Sequence, residues 1–105
     1  MEQKFTALGK PVTQFERLDP IPTKCGFIQY HSDQLTSMCP VTGQPDFYEA
    51  TIDLEADGIG IETKTLKLYL ETYRDQAIFC EDLAVKLCED LFAVAQPKRC
   101  AVTLE

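Results

Sequence analysis

The sequence predicts an α+β domain in which a small antiparallel sheet is covered by two antiparallel helices. Three observations carry this expectation. Residues 47–54 alternate apolar and polar side chains, residues 66–73 and 84–95 repeat apolar residues at helical spacing, and residues 100–104 return to a short apolar run. The chain has 105 residues, room for one small domain. With 45% hydrophobic and 26% charged residues, its composition is that of a chain with a folded core.

Residues 1–24 contain Gly9-Lys10-Pro11, Pro20 and Pro22 and read as an irregular N-terminal arm. Residues 26–31 (GFIQYH) are short, partly alternating and bounded by polar residues, which suits a strand. The polar segment that follows holds Cys39-Pro40-Val41-Thr42-Gly43-Gln44-Pro45-Asp46, whose prolines and glycine exclude regular helix. In residues 47–54, Tyr48, Ala50, Ile52 and Leu54 fall on one side, and Glu49, Thr51 and Asp53 on the other, as in a strand facing a core.

Ala56-Asp57-Gly58 supplies a turn, and Ile59-Gly60-Ile61 an extended lead into a helix starting near Thr65. Leu66, Tyr69, Leu70 and Tyr73 share one face of that helix, while Lys67, Glu71 and Arg74 take the other. A second helix is expected from about Glu81 to Ala95, with Ala84, Leu87, Cys88, Leu91 and Ala95 as its apolar stripe. Glu81 and Asp82 complement its positive N-terminal end, and Pro97 stops it. Residues 100–104 (CAVTL) form a strand with no partner strand after it. The sheet is therefore expected to lack a final strand, or to receive one from another chain.

Ten Lys and Arg against seventeen Asp and Glu give a net charge of −7. Direct nucleic-acid binding is not expected, since a broad polyanion is repelled, although a local cationic cluster can still hold a phosphate. Five cysteines, an odd number, and the absence of a basic, apolar leader point to a reducing cytoplasm. No apolar stretch approaches the roughly 18 to 20 residues that cross a bilayer, so no membrane association is expected.

Cys39 lies in a loop, and Asp46 stands seven residues later beyond a Gly-Gln-Pro turn, close enough in sequence to return beside it. A thiol and an acid so placed can add to an electrophilic carbon and deliver a proton to the atom that gathers charge. The same cysteine also fits a buried small hydrophobe. His31 is the only histidine, and the cysteine spacings match no structural zinc site, so no metal is expected. Cys88 and Cys100 fall on apolar faces and read as core. Lys64 and Lys67, three residues apart at a helix start, can approach one phosphate or simply face solvent. Glu81 can either compensate the helix end or accept adjacent N–H donors from a purine-like ring.

Three segments taken together, Leu35 through Phe47 (LTSMCPVTGQPDF), Glu62 through Tyr69 (ETKTLKLY) and Glu81-Asp82, resemble the NADPH-dependent 7-cyano-7-deazaguanine reductases, the nitrile reductases of queuosine biosynthesis. The likeness runs over about residues 27–105. It implies a tunnelling fold, in which such units join their sheets into a ring and place active sites between subunits of a homo-oligomer. It also implies that Cys39 attacks the nitrile of 7-cyano-7-deazaguanine to form a thioimide and that Asp46 protonates the nitrogen. Glu81 would then anchor the deazaguanine ring, and Glu62, Lys64 and Lys67 would belong to the segment that serves NADPH.

Two departures accompany the resemblance. The family has His before the substrate-binding glutamate, where this chain has Cys80, and a thiol cannot carry an imidazole's positive charge or its paired donor and acceptor roles. The family pattern also continues past the position of Glu105 into a final strand and an Arg-Gly-Gly region, so residues 25–105 are expected to form an incomplete tunnelling-fold catalytic domain. Two alternatives follow: a catalytically silent ligand-binding or assembly module of the same fold, and an amidinotransferase acting on nitrile-modified tRNA. The second lacks the lysine-bearing segment that residues 62–69 supply.

Overall fold

The alternating residues 47–54 lie within the central strand of a three-stranded antiparallel sheet. The computed structural model describes residues 14–105. Its elements run β1 (Pro20–Pro22), β2 (Phe27–Met38), β3 (Pro45–Glu55), β4 (Ile59–Ile61), α1 (Thr63–Glu71), α2 (Cys80–Ala95) and β5 (Arg99–Leu104). The larger sheet has the order β2-β3-β5, with Ile52 of β3 opposite Tyr30 of β2 and Val102 of β5. Ala50, Ile52 and Leu54 are buried as their alternation predicts, and the expected α+β class is observed.

β2 is longer than the six-residue strand read from residues 26–31 and continues to Met38. The polar run from Ser32 to Gln34 imitates a loop, but the backbone stays in the ladder by taking a bulge between Ser32 and Leu35, where β2 gains one residue on β3. Past the bulge, Leu35 and Ser37 turn into the interior. This extension carries β2 up to Cys39.

The arm expected to be irregular over residues 1–24 contains a short strand. Pro20–Pro22 pairs antiparallel with Ile59–Ile61, and the two form a separate two-stranded sheet. Prolines are tolerated there because the strand is an edge and needs few N–H donors. Leu18 and Asp19 just before it are buried. Residues 1–13 of the arm lie outside the described residues.

α1 begins two residues earlier than predicted because Glu62 caps it: the Glu62 carboxylate accepts from Thr65 N–H at 2.9 Å. Leu66, Tyr69 and Leu70 are buried, and so is Tyr73 just past the helix end. α2 covers the expected span, but its buried line is Leu83, Leu87, Leu91 and Ala95. The predicted stripe was rotated slightly, since Ala84 and Cys88 are only half-buried flanks. Each fully buried leucine contributes about 1.5 to 3 kcal/mol. α2 ends where Gln96 adopts a left-handed conformation with φ 46° and its N–H bonds Phe92 O, ahead of Pro97.

α2 packs on β5, and α1 lies beside β2. Tyr69 ties the helices together, its hydroxyl donating to the Asp90 carboxylate at 2.6 Å and lying 2.8 Å from the Tyr73 hydroxyl. Among the described residues no helix is long and apolar enough to cross a membrane.

Candidate active site

Between β2 and β3 the chain closes a tight loop around Cys39. Cys39 N–H donates to Gln44 O at 2.8 Å, and Gly43 N–H donates to Cys39 O at 2.9 Å. Gly43 takes φ +72°, a conformation glycine adopts without a Cβ penalty. The Thr42 hydroxyl accepts from Gln44 N–H at 3.2 Å, which holds it in place within the loop. That hydroxyl, followed by the N–H groups of Thr42 and Val41, donates to the Cys39 sulfur and lowers the thiol below its ordinary value. Burial and the Asp46 charge oppose this more weakly. The donors of the loop thus shift the thiol toward its nucleophilic, ionised form.

Asp46 is the second residue of β3, half-buried and directly opposite Ser37 of β2. The hairpin returns it to the neighbourhood of Cys39, as its place in the sequence predicted. Ser37 is wholly buried, and its Oγ has no hydrogen-bond partner among the described residues. Two residues beyond Asp46, Tyr48 points to the same face of the ladder. Burial pushes its phenol up. Ser37 pulls the other way, and the Cys80 thiol and Asp46 carboxylate raise it further. In the sequence, Tyr48 reads only as a core-facing strand residue. The period of two that put it there also puts it beside Asp46.

The start of α2 is brought to this loop by backbone alone. Met38 N–H donates to Gln76 O at 2.8 Å, Ile78 N–H donates to Met38 O at 3.1 Å, and Met38 and Ala77 form a parallel bridge. α2 then begins at Cys80 with Phe79 as an extended N-cap that offers no side-chain hydrogen bond. Cys80 is half-buried beside Tyr48, and Glu81 is exposed in the first turn. The structure therefore gathers Cys39, Asp46 and Cys80, with Glu81 next in the chain.

The lysine segment lies elsewhere. Glu62 is buried and engaged as the cap of α1, and Thr65 reinforces that turn by donating to Glu62 O at 2.9 Å while accepting from Asp19 N–H at 3.1 Å. Lys64 and Lys67 are both exposed on α1. Lys67 lines a cavity of about 550 Å³ between β2 and α1, with Tyr30, His31, Leu66, Leu70 and neighbouring polar residues. Cys39, Asp46, Cys80 and Glu81 take no part in that lining.

His31 belongs to the same cavity, and its Nδ1 lies 3.3 Å from the Thr51 hydroxyl. It does not form a pair with Cys39. Cys88 and Cys100 are half-buried neighbours, with Cys88 Sγ donating to Cys100 O at 3.9 Å. Burial, reinforced by Cys88, pushes the Cys100 thiol up to about 12, which suits a core residue. Cys25 is exposed. Among the described residues no cluster of His, Cys, Asp or Glu is placed to hold a metal ion.

Residues 45–105 match the QueF-like protein family. The chain is 41% identical over 103 residues to the NADPH-dependent 7-cyano-7-deazaguanine reductase of Frankia casuarinae, a match covering 95% of this chain and 82% of that relative. It is 37% identical over 84 residues to the reductase of the same name from Rhodopirellula baltica, covering 80% of this chain and 69% of the relative. Among solved structures, the archaeosine synthase QueF-Like in the apo form superposes with a TM-score of 0.74 at 24% identity, over 78% of this chain and 81% of that one. The fold is thus shared, in agreement with the tunnelling-fold unit expected from the sequence.

Proposed function

This chain belongs to the QueF-like protein family, and from that premise we propose that it reduces the nitrile of 7-cyano-7-deazaguanine to an aminomethyl group with NADPH. The observation that carries the reading is Cys39, a thiol lowered by the donors of its own loop, in a hairpin whose returning strand carries Asp46 opposite Ser37. Thiolate addition forms an S–C bond and breaks one C–N π bond. The nitrogen gathers the displaced electron pair, and Asp46 gives it a proton, leaving a thioimide on Cys39 and a carboxylate on Asp46.

Glu81, exposed at the start of α2, is the proposed anchor for the N–H donors of the heterocycle, with Cys80 as its neighbour in the wall. The backbone clamp at Met38 sets the reach of both.

The cavity between β2 and α1 fits part of a dinucleotide: it has the volume, an apolar wall from Leu66 and Leu70, and the Lys67 ammonium for a phosphate. When bound, NADPH would supply hydride to the carbon attached to Cys39, whose S–C bond then breaks to return the thiolate, and a second NADPH would supply the hydride that takes the resulting imine to the amine. Lys67 and Lys64 are the proposed phosphate-binding residues, and Glu62 serves the segment by capping the helix that carries both. The separation of this cavity from Cys39 within one chain supports a homo-oligomer whose active sites lie between subunits. A net charge of −7 favours a free base over tRNA as substrate. The free thiols at Cys25, Cys39, Cys80, Cys88 and Cys100 fit a reducing cytoplasm.

The test is a near-ultraviolet titration of the native chain and of Cys39→Ala with 7-cyano-7-deazaguanine. A new absorbance band confined to the native chain is expected. No band, in folded protein that binds the nitrile, would assign the chain as a silent ligand-binding module instead.

A further inference from the structure

Four polar groups meet at the head of the β2–β3 ladder, and the proposed chemistry employs only some of them. Ser37 and Asp46 are register partners, and Tyr48 follows Asp46 on the same face. Ser37 is completely buried, yet its hydroxyl oxygen lacks a hydrogen-bond partner among the described residues. An unpaired hydroxyl in the interior is costly, so a donor or acceptor within the site is expected to serve it. The Tyr48 phenol lies within electrostatic reach of Ser37, of the Cys80 thiol and of the Asp46 carboxyl group, two residues before it on the same strand face.

A phenol raised by burial keeps its proton at neutral pH. It therefore has one O–H to donate and an oxygen able to accept one. Of its two neighbours, a thiol sulfur is a weak acceptor and a carboxylate a strong one. Asp46 becomes a full carboxylate when it has released its proton.

We propose that Tyr48 is a positioning residue for Asp46, held in place by Ser37: the Ser37 O–H donates to the Tyr48 oxygen, and the Tyr48 O–H donates to the carboxylate that Asp46 becomes on protonating the nitrile nitrogen. Tyr48 loses no proton in this step, and only hydrogen bonds change around it. The inference rests on the nitrile chemistry proposed above.

The rate of Cys39 adduct formation with 7-cyano-7-deazaguanine, measured by rapid mixing, tests it in native chain, Tyr48→Phe, Asp46→Asn and the double variant. Tyr48→Phe is expected to slow the reaction about tenfold while leaving its half-saturating nitrile concentration unchanged, as for one lost hydrogen bond to a charged group. In the Asp46→Asn background, Tyr48→Phe is expected to have no further effect, because it acts through Asp46. Ser37→Ala is expected to slow the reaction less and in the same direction. A native rate in both Tyr48→Phe and Ser37→Ala, or a full multiplication of effects in the double variant, overturns the proposal. Absence of the adduct in the native chain itself is a different result: it removes the proposed function, and this inference with it.

Discussion

Ile78 donates its N–H to the Met38 carbonyl at 3.1 Å, and by that bond the chain joins the residue before Cys39 to a residue two positions before Cys80. The contact is between backbones, so it places the thiol loop and the start of α2 together whatever side chains the two segments carry. Cys80 and Glu81 owe their position to it. The hairpin brings Asp46 to Cys39 by a separate route, through the β2–β3 ladder. Two independent backbone constraints thus converge on one loop.

The Cys39 thiol is lowered by the donors of its own loop, the Thr42 hydroxyl first. Thr42→Val removes the hydroxyl that contributes most to lowering Cys39 and keeps the side-chain shape. The rate of Cys39 alkylation by iodoacetamide, followed by peptide mass spectrometry across pH, is expected to shift to higher pH in the variant. Superimposable profiles would show that the loop N–H groups alone set the thiol.

Lys67 lines the cavity between β2 and α1 and is proposed to serve the cofactor and not the nitrile. Lys67→Ala is expected to weaken NADPH binding by about tenfold or more, read by the quenching of nicotinamide fluorescence, with the rate of Cys39 adduct formation unchanged. Lys64→Ala is expected to act in the same direction. NADPH affinity unchanged in both would leave the cavity between β2 and α1 without its assigned ligand.

Glu62 has a structural duty that can be measured apart from any ligand. Glu62→Ala is expected to lower unfolding stability by about 1 kcal/mol, and Glu62→Gln by less, since the amide oxygen still accepts from Thr65 N–H. Urea unfolding of the ligand-free chain decides it. Equal midpoints for native chain and Glu62→Ala would show that water replaces the cap at no cost.

All four tyrosines, Tyr30, Tyr48, Tyr69 and Tyr73, have phenols pushed above the ordinary value of 10.0, with burial as the first cause in each. For Tyr69 the bonds with Asp90 and Tyr73 add to it. Above pH 10 the unfolded chain sheds phenol protons that the folded chain retains. Stability from this source is full below that pH and falls as pH rises through it. The urea midpoint is expected to drop between about pH 9 and about pH 11, and Tyr69→Phe to flatten the decline. A midpoint constant over that range would contradict the burial of these phenols.

Much of the fold was legible because it rests on local periodicity. Ala50, Ile52 and Leu54 announced β3 by alternation, and the spacing of Leu66, Tyr69 and Leu70 announced α1. On α2, Leu87, Leu91 and Ala95 are buried as expected, but Leu83 replaces Ala84 and Cys88 in the buried line, because apolar residues flank it on both sides and only the surface it packs against selects between them. β2 beyond His31 was missed because Ser32, Asp33 and Gln34 carry loop chemistry. Their strand conformation comes from pairing with β3, a partner the local sequence does not reveal.

The sequence by itself determined the α+β class, the thiol and acid of the loop, and the family whose segments surround them. Each of these depends on residue types at short spacing. The tertiary structure alone decided that Glu62 is a helix cap, that Lys67 and Cys39 occupy separate places on one chain, and that Ser37, Tyr48 and Cys80 meet beside Asp46. The cap depends on where the Glu62 carboxylate turns, and the meeting beside Asp46 on long-range backbone hydrogen bonds, Met38 to Gln76 and Ile78 above all, which leave no mark in the order of side chains.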